Sequence, residues 1–230
     1  METDQSDQSD QSDETAARAP RPRNSAATKE LLLSAATAEF ADYGLAGARI
    51  DRIAARAGAN KRLLYAYFGD KDQLFEAVLQ RQIGRLAEET PLTDGDLVAF
   101  AAARFDFMLA HPETARLAAW RRFEPDSHRS ETEVESYRAK VDAVAAAQRE
   151  GRLDDALPAV DLFAIVLRIT ESWLDAPSAL TAVAGPRSRS GERLQEHRAA
   201  LLEAVRRITA VSPVPPRVAP QPDRRDLDGQ

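Results

Sequence analysis

The chain has 230 residues, 43% of them apolar and 30% charged, the make-up of a globular protein with one or two domains and a real core. Cysteine is absent, which excludes a disulfide framework, a thiolate zinc site and a cysteine nucleophile. The net charge of −6 argues, taken whole, against a nucleic-acid partner, so only the distribution of charge can point to one.

Ala, Leu, Glu and Arg recur throughout, with only 10 Gly and 6% aromatics, a mixture that favours helix over strand. The start, Met-Glu-Thr-Asp-Gln, lacks the basic and apolar regions of a signal peptide, and no apolar run is long enough to span a bilayer. A cytoplasmic protein with no membrane partner is expected.

Residues 1–24 read as a disordered arm. Residues 1–14 repeat Gln-Ser-Asp and carry six acids and no base, and a short basic stretch follows at Arg18, Arg21 and Arg23. Residues 211–230 hold five prolines and read as a disordered tail. Between them the apolar spacing is helical. Leu33, Ala36, Phe40 and Tyr43 form one stripe ended by Gly44, and Ile50, Ile53, Ala54 and Ala57 a second ended by Gly58. Leu64, Tyr67 and Phe68 make a short third. Asp70 then opens a capping box with Gln73, and a longer helix runs until Pro91 breaks it. Asp94 is placed to cap a helix bearing Leu97, Ala101, Phe105 and Met108. Pro112 suits the first turn of the next, to about Phe123. Ser130–Glu150 carries Val134, Tyr137, Val141 and Val144. Pro158 opens a strongly apolar helix to Asp175. Pro177–Gly191 reads as a loop, with room for one helical turn, and Glu192–Thr209 is the last helix. The expectation is an all-α chain of nine helices: a three-helix front domain at 25–69 and a six-helix bundle at 70–210.

The second and third stripes, joined by Gly58-Ala59-Asn60, describe a helix-turn-helix. Residues 49–71 hold six bases and two acids, leaving +4 in a chain that is −6 overall. A basic patch on an acidic protein is the footprint of a phosphate-contact surface. Lys61 and Arg62, near the start of a groove-entering helix, can donate to guanine edges or phosphates. Tyr65 and Tyr67 carry hydroxyls that can reach phosphate, and Lys71 adds a cation. Each residue alone fits a solvated face or a core aromatic with a wet tip; the combination points to DNA.

From Lys29 to Leu79 the chain resembles the tetracycline repressor family, and IDRIAARAGANKRLLYAYFGDKDQLF is the specific part. Together, Leu64, Tyr65, Phe68, Lys71, Leu74 and Phe75 exceed what a generic helix-turn-helix fixes. The resemblance implies a supporting helix at Ile50–Ala57 and a recognition helix at Asn60–Tyr67. It places phosphate contacts at Tyr65, Tyr67 and Lys71, with base readers at Asn60, Lys61, Arg62 and Ala66. Arg49 and Arg52 complete the DNA-facing set. There is one departure. Many members have Thr or Ser just before the second helix, where this chain has Ala48 and Arg49. Either Arg49 supplies a phosphate contact instead, or the cap falls elsewhere.

The resemblance further implies a helical ligand-binding and dimerisation domain. Residues 158–175 carry two apolar stripes, one of Leu162, Ile165, Ile169 and Trp173, and a helix apolar on opposite faces must bury both. With Leu194, Leu201, Val205 and Ile208 it is expected to form a two-fold, four-helix homodimer interface. Aromatic residues among helices line cavities or simply fill cores, and Phe105, Met108, Trp120, Tyr137 and Phe163 are the candidate ligand contacts. His111 is read as capping a helix junction, and His128 and His197 as surface residues; no metal site or cofactor is expected. The function expected is a sequence-specific regulator, bound to a palindromic double-stranded DNA operator and released by a small apolar or aromatic effector. The alternatives are a regulator without ligand and a helical-bundle enzyme. The latter lacks G-x-S-x-G and H-E-x-x-H motifs and offers only Asp161 and Glu171 for inspection.

Overall fold

A computed structural model describes residues 22–121 and 131–211. Among the described residues there are ten helices and no strand. They are α1 (Pro22–Gly47), α2 (Ile50–Arg56), α3 (Lys61–Phe68), α4 (Lys71–Glu89), α5 (Leu97–Ala110), α6 (Pro112–Arg121), α7 (Glu131–Arg149), α8 (Ala159–Ile169), α9 (Ser178–Val183) and α10 (Gly191–Thr209). The tenth is α9, six residues inside the expected loop at 177–191. Phe123 and His128 lie outside the described residues.

Several boundaries differ from the sequence reading: α1 begins at Pro22, inside the expected arm, and continues past Gly44 to Gly47, and two further differences have a visible cause. Asp96, not Asp94, caps α5, with Oδ1 accepting from Val98 N–H and Ala99 N–H at 3.1 and 2.9 Å. Asp94 and Gly95 instead form the preceding turn at positive φ, which pushes the cap two residues on. Further along, α8 ends at Ile169 rather than Asp175. The buried Thr170 hydroxyl donates to the Leu167 carbonyl at 2.7 Å, and such back-bonding weakens helix continuation. Residues 170–175 are turns, so Trp173 lies beyond α8.

Two cores form. The first joins Leu32, Ala36 and Phe40 of α1 to Ile53, Leu64 and Phe68, and is completed by Leu74, Phe75, Val78 and Leu79 of α4 and Leu117 of α6. The second gathers Phe100 and Phe105 of α5, Val144 of α7, Leu162, Phe163 and Val166 of α8, and Leu201 and Val205 of α10. The front core therefore draws on helices that sequence spacing assigns to the rear bundle.

Gly44 shapes the junction. Its backbone, at φ 64° and ψ −178°, is open essentially to glycine alone. It kinks α1, and the Trp120 indole lies across the kink, Nε1 donating to the Ala41 carbonyl at 3.2 Å. Tyr43 therefore leaves the apolar stripe and is exposed.

A buried carboxylate sets α2 against α1. Glu39, 1% exposed, accepts from Arg49 N–H at 2.9 Å and from Arg52 Nε at 2.6 Å. Arg52 also donates to the Gly47 carbonyl and stacks 4.2 Å over the Tyr43 ring. Burial opposes ionisation of Glu39, but the Arg52 and Arg49 hydrogen bonds and the charges of Arg52 and Arg56 outweigh it and hold its pKa below the ordinary value. The α2 N-terminus thus has no side-chain cap of its own, and the brace comes from α1.

Both features can be tested by unfolding. Adding a methyl at Gly44 places Cβ 3.0 Å from the Trp120 ring at a forbidden φ, whereas at Gly84 in α4 it meets nothing. Gly44→Ala should cost about 1–3 kcal/mol, and Gly84→Ala should gain about 0.5–1 kcal/mol, measured by urea unfolding. Glu39→Gln should cost about 1–2 kcal/mol at neutral pH, the lower half of the range for charged hydrogen bonds because Arg52 is partly in water. Because Glu39's folded pKa is depressed, its ionic contribution is present above the unfolded value near 4.5 and is lost as pH falls through the folded value. The gap between wild type and Glu39→Gln should therefore close in acid; an equal gap at pH 7 and well below 4.5 would refute the ionic role.

Candidate functional site

The turn between α2 and α3 uses Gly58 at φ 62°, a left-handed position that suits glycine. Asn60 then caps α3, its Oδ1 accepting from Leu63 N–H at 2.8 Å. Ile53, Leu64 and Phe68 fix the inner faces, at 0%, 0% and 8% exposure. The opposite face of α3 therefore presents Lys61, Arg62, Tyr65 and Ala66 to solvent. Arg49 is exposed at the start of α2, and Lys71 opens α4 half-buried. Asp70 caps α4, accepting from Gln73 N–H at 2.8 Å.

Four of the expected DNA contacts have partners inside the protein; the first, Asn60, has its Oδ1 taken by the α3 cap. Lys61 forms an ion pair with Asp51 across the turn, and that contact lowers the Asp51 pKa. The Tyr67 hydroxyl donates to Ser25 Oγ at 3.0 Å and its ring packs edge-on to Phe68, so its proton is spent on α1. Arg52 is committed to Glu39, Gly47 and Tyr43 and acts as a brace; counting charges along the sequence cannot distinguish it from a surface base.

In the rear bundle a cavity of about 320 Å³ lies among α4, α5, α6, α7 and α8. Leu79, Ile83 and Leu86 of α4, Met108 of α5, Leu117 of α6 and Leu167 of α8 give it an apolar body. Met108 and Tyr137 line it, as expected from the sequence. Phe105 and Phe163 do not: both are buried in the second core, Phe163 between Phe100 and Tyr137 and Phe105 beside His197. Trp120, on α6, packs against α1 and is not part of the cavity wall. Sequence reasoning misses the polar part of the wall. Arg104 pairs with Glu171 at 2.6 Å, Arg121 with Glu133 at 2.8 Å, and Thr114 Oγ1 donates to Gln82 Oε1 at 2.9 Å. Partners 67 residues apart leave no mark on local spacing. A second, more polar cavity of about 380 Å³ lies among α1, α4 and α6, with Gln82 on the wall of both.

His111 ends α5, as expected. His197 is half-buried: it stacks on Trp173 at 5.3 Å, and burial and then Arg193 lower its pKa. Of the eight expected dimer residues, Leu162, Trp173, Leu201 and Val205 are buried within the protomer, Ile169 and Leu194 are half-buried, and Ile165 and Ile208 are exposed. The inward stripe serves the protomer's own core. Among the described residues no helix is long and apolar enough to cross a membrane, and no group of three or more His, Asp or Glu side chains could hold a metal.

Comparison with known proteins agrees with this architecture. Residues 32–78 match the family model for bacterial regulatory proteins of the tetR family, and residues 96–207 match the tetracyclin repressor-like C-terminal domain. The HTH-type transcriptional repressor SCO4008 of Streptomyces coelicolor is 37% identical over 190 residues, spanning 81% of this chain and 97% of that protein. The regulator RutR of Escherichia coli is 41% identical over 61 residues, 26% of this chain and 29% of its own length. Among solved structures, the transcriptional regulator SCO4942 of Streptomyces coelicolor aligns with a TM-score of 0.71 at 35% identity, covering 79% of this chain and 98% of that one. With both segments matched to one family and a relative similar along nearly its full length, the chain belongs to the tetracycline repressor family of DNA-binding transcriptional regulators.

Proposed function

We propose that the protein is a homodimeric cytoplasmic repressor that holds an approximately palindromic operator and releases it when a small, largely apolar molecule enters the 320 Å³ cavity. The repressor SCO4008, similar along its length, supports the direction of control. The observation that carries the reading is the course of α4. It starts at Lys71 against the recognition helix, gives Leu74, Phe75 and Val78 to the front core, and then lines the cavity with Leu79, Ile83 and Leu86. A molecule wedged against that face tilts the element that carries the reading head. Coupling of about 1–3 kcal/mol is enough for a roughly 5- to 150-fold change in operator affinity. A ligand that binds both states equally shifts nothing.

In this reading Lys61 and Arg62 select bases, while Tyr65, Lys71 and Arg49 hold phosphates. The two-fold interface uses the outward sides of α8 and α10, where Val160, Ile165 and Ile208 are exposed. Apolar side chains left in water on the two neighbouring helices favour pairing there.

Selection of bound fragments from random DNA supplies the operator. On it, Lys61→Ala with Arg62→Ala should relax base preference by about 1–3 kcal/mol for each bidentate pairing to a base edge that the substitutions remove. Tyr65→Phe and Lys71→Ala should weaken all sequences alike, with a shallower salt dependence. Unchanged base preference in the double variant would overturn the assignment. Ile165→Asp with Ile208→Asp, both exposed in the protomer, should give a folded monomer with much weaker operator binding. The two half-sites should lie about 34–36 Å apart or a multiple of it. A wild-type chain that sediments as a monomer at micromolar concentration would sink the dimer. For the effector, hydrophobic compounds found by thermal shift should lower operator affinity; hits that stabilise the protein and never alter DNA binding would refute the coupling.

A further inference from the structure

The cavity wall carries more positive than negative charge. Together with its small adjoining recess, which shares Ile83, Leu86, Arg104, Glu133, Tyr137 and Leu167 with it, the walls hold Arg104, Arg121, Arg168 and Lys140 against Glu133 and Glu171. Both carboxylates are engaged by arginines: Glu133 by Arg121, and Glu171 by Arg104 and Arg168. Counted over these walls the net charge is +2, and the exposed Arg168 also pairs with Asp175 at 3.7 Å, outside the walls. The charge is not spread evenly. Arg104 is 6% exposed and gives Nη2 to Glu171, while its Nε is buried with no acceptor among the described residues. A buried guanidinium with an unused donor is a costly arrangement unless something fills it. Lys140 sits near it on α7, its ammonium on Ser136 Oγ at 2.9 Å. Burial and then the Arg104 charge hold Lys140 below the ordinary lysine value, as two cations sharing one poorly hydrated corner must. Tyr137, 38% exposed, lines both the cavity and the recess and offers a hydroxyl donor there.

Resting on the ligand reading above, we infer that the effector is an amphipathic carboxylate: an apolar body against Leu79, Leu86 and Met108, and a carboxylate head at the corner of Arg104, Tyr137 and Lys140. A guanidinium pairs with a planar carboxylate in fixed geometry, and the Arg104 side chain on the cavity wall has a donor not used inside the protein. Glu171 keeps Arg104 in place while the site is empty, and Arg168, on the more exposed side of Glu171, holds that carboxylate when Arg104 turns to the ligand. A cationic ligand would meet the excess positive charge with both acids already paired. A neutral one can accept from Arg104 but leaves the excess positive charge uncompensated, a weaker pairing than a carboxylate makes.

The test uses three matched series on the same skeletons: naphthalene, biphenyl, and octyl and decyl chains, each ending in a carboxylate, a primary amide or an ammonium group. Binding to the full-length protein is measured by calorimetry, and operator release by fluorescence anisotropy. On wild type the carboxylates should bind about tenfold or more tighter than the amides, one decade for each 1.4 kcal/mol, and the ammonium compounds weakest. Arg104→Gln with Glu171→Gln removes the pair together and strands no buried charge. It should bring the carboxylates down to the affinity of the amides and leave the amides unchanged. Lys140→Met, at the edge of the recess, should lower carboxylate affinity alone; it decides the matter if the double variant fails to fold. Amides or ammonium compounds binding as tightly as the carboxylates on wild type would overturn the head-group assignment and leave the ligand cavity standing. Failure of all three series to bind would overturn the ligand reading itself, and this inference with it.

Discussion

The front domain cannot close its own core. α2 and α3 are seven and eight residues long, and such short helices bury too little to be stable alone. Their apolar faces are covered by α1, by Leu74, Phe75, Val78 and Leu79 of α4, and by Leu117 of α6. The front-domain core is therefore built on helices that also wall the 320 Å³ cavity: Leu79 and Leu117 belong to both. Close-packed interiors transmit displacement because they cannot absorb it. No separate relay is required when the same side chains floor one site and roof the other.

The polar contacts at this junction narrow the movements open to it. Trp120 is held over the Gly44 kink by its bond to the Ala41 carbonyl, and Arg116 reaches Asp42 at 3.1 Å. These join α6 to α1 on the outside, while Gln82 and Thr114 join α4 to α6 within. A sideways shift of α4 must therefore carry α6 or break a buried hydrogen bond. An occupant of the cavity, which touches both helices, acts on both ends of that bond.

Much of the fold is legible in the sequence where the signal is local. The Asp70–Gln73 box, the Gly58 turn, the Pro112 start and the inner positions Ile53, Leu64 and Phe68 all rest on spacing of a few residues, and the structure has them there. The differences share one cause: they depend on what lies across the fold. Asp94 and Asp96 are equally good cap residues until the φ of Asp94 is known. A helix to Asp175 agrees with the apolar pattern until Thr170 turns its hydroxyl back and Arg104 draws in Glu171. Aromatic residues are natural pocket candidates, yet Phe105 and Phe163 fill the core because they are large, and the cavity is lined by aliphatic side chains and ion pairs. The outward and inward sides of α8 are both apolar, and only packing against α5, α7 and α10 decides which of Leu162 and Ile165 faces water. Arg52 passes for a DNA contact as long as every charge is assumed to face solvent, and the buried Glu39 that claims it lies 13 residues upstream.

The ion pair between Lys61 and Asp51 has a consequence for how the protein finds DNA. Lys61 arrives with its own counter-ion attached, covalently part of the chain. When a phosphate takes the place of Asp51, the DNA still sheds its condensed cations, but the Lys61 ion pair is lost and a carboxylate is left beside a polyanion. The charge count of +4 already includes Asp51, so the surface meets a random backbone with less charge than its six bases alone suggest. On indifferent sequence the lysine has no reason to leave its partner. Only where a base edge offers a better acceptor does the exchange become favourable, so the carboxylate works as a filter that makes loose, sequence-blind adhesion weaker than the cation count implies.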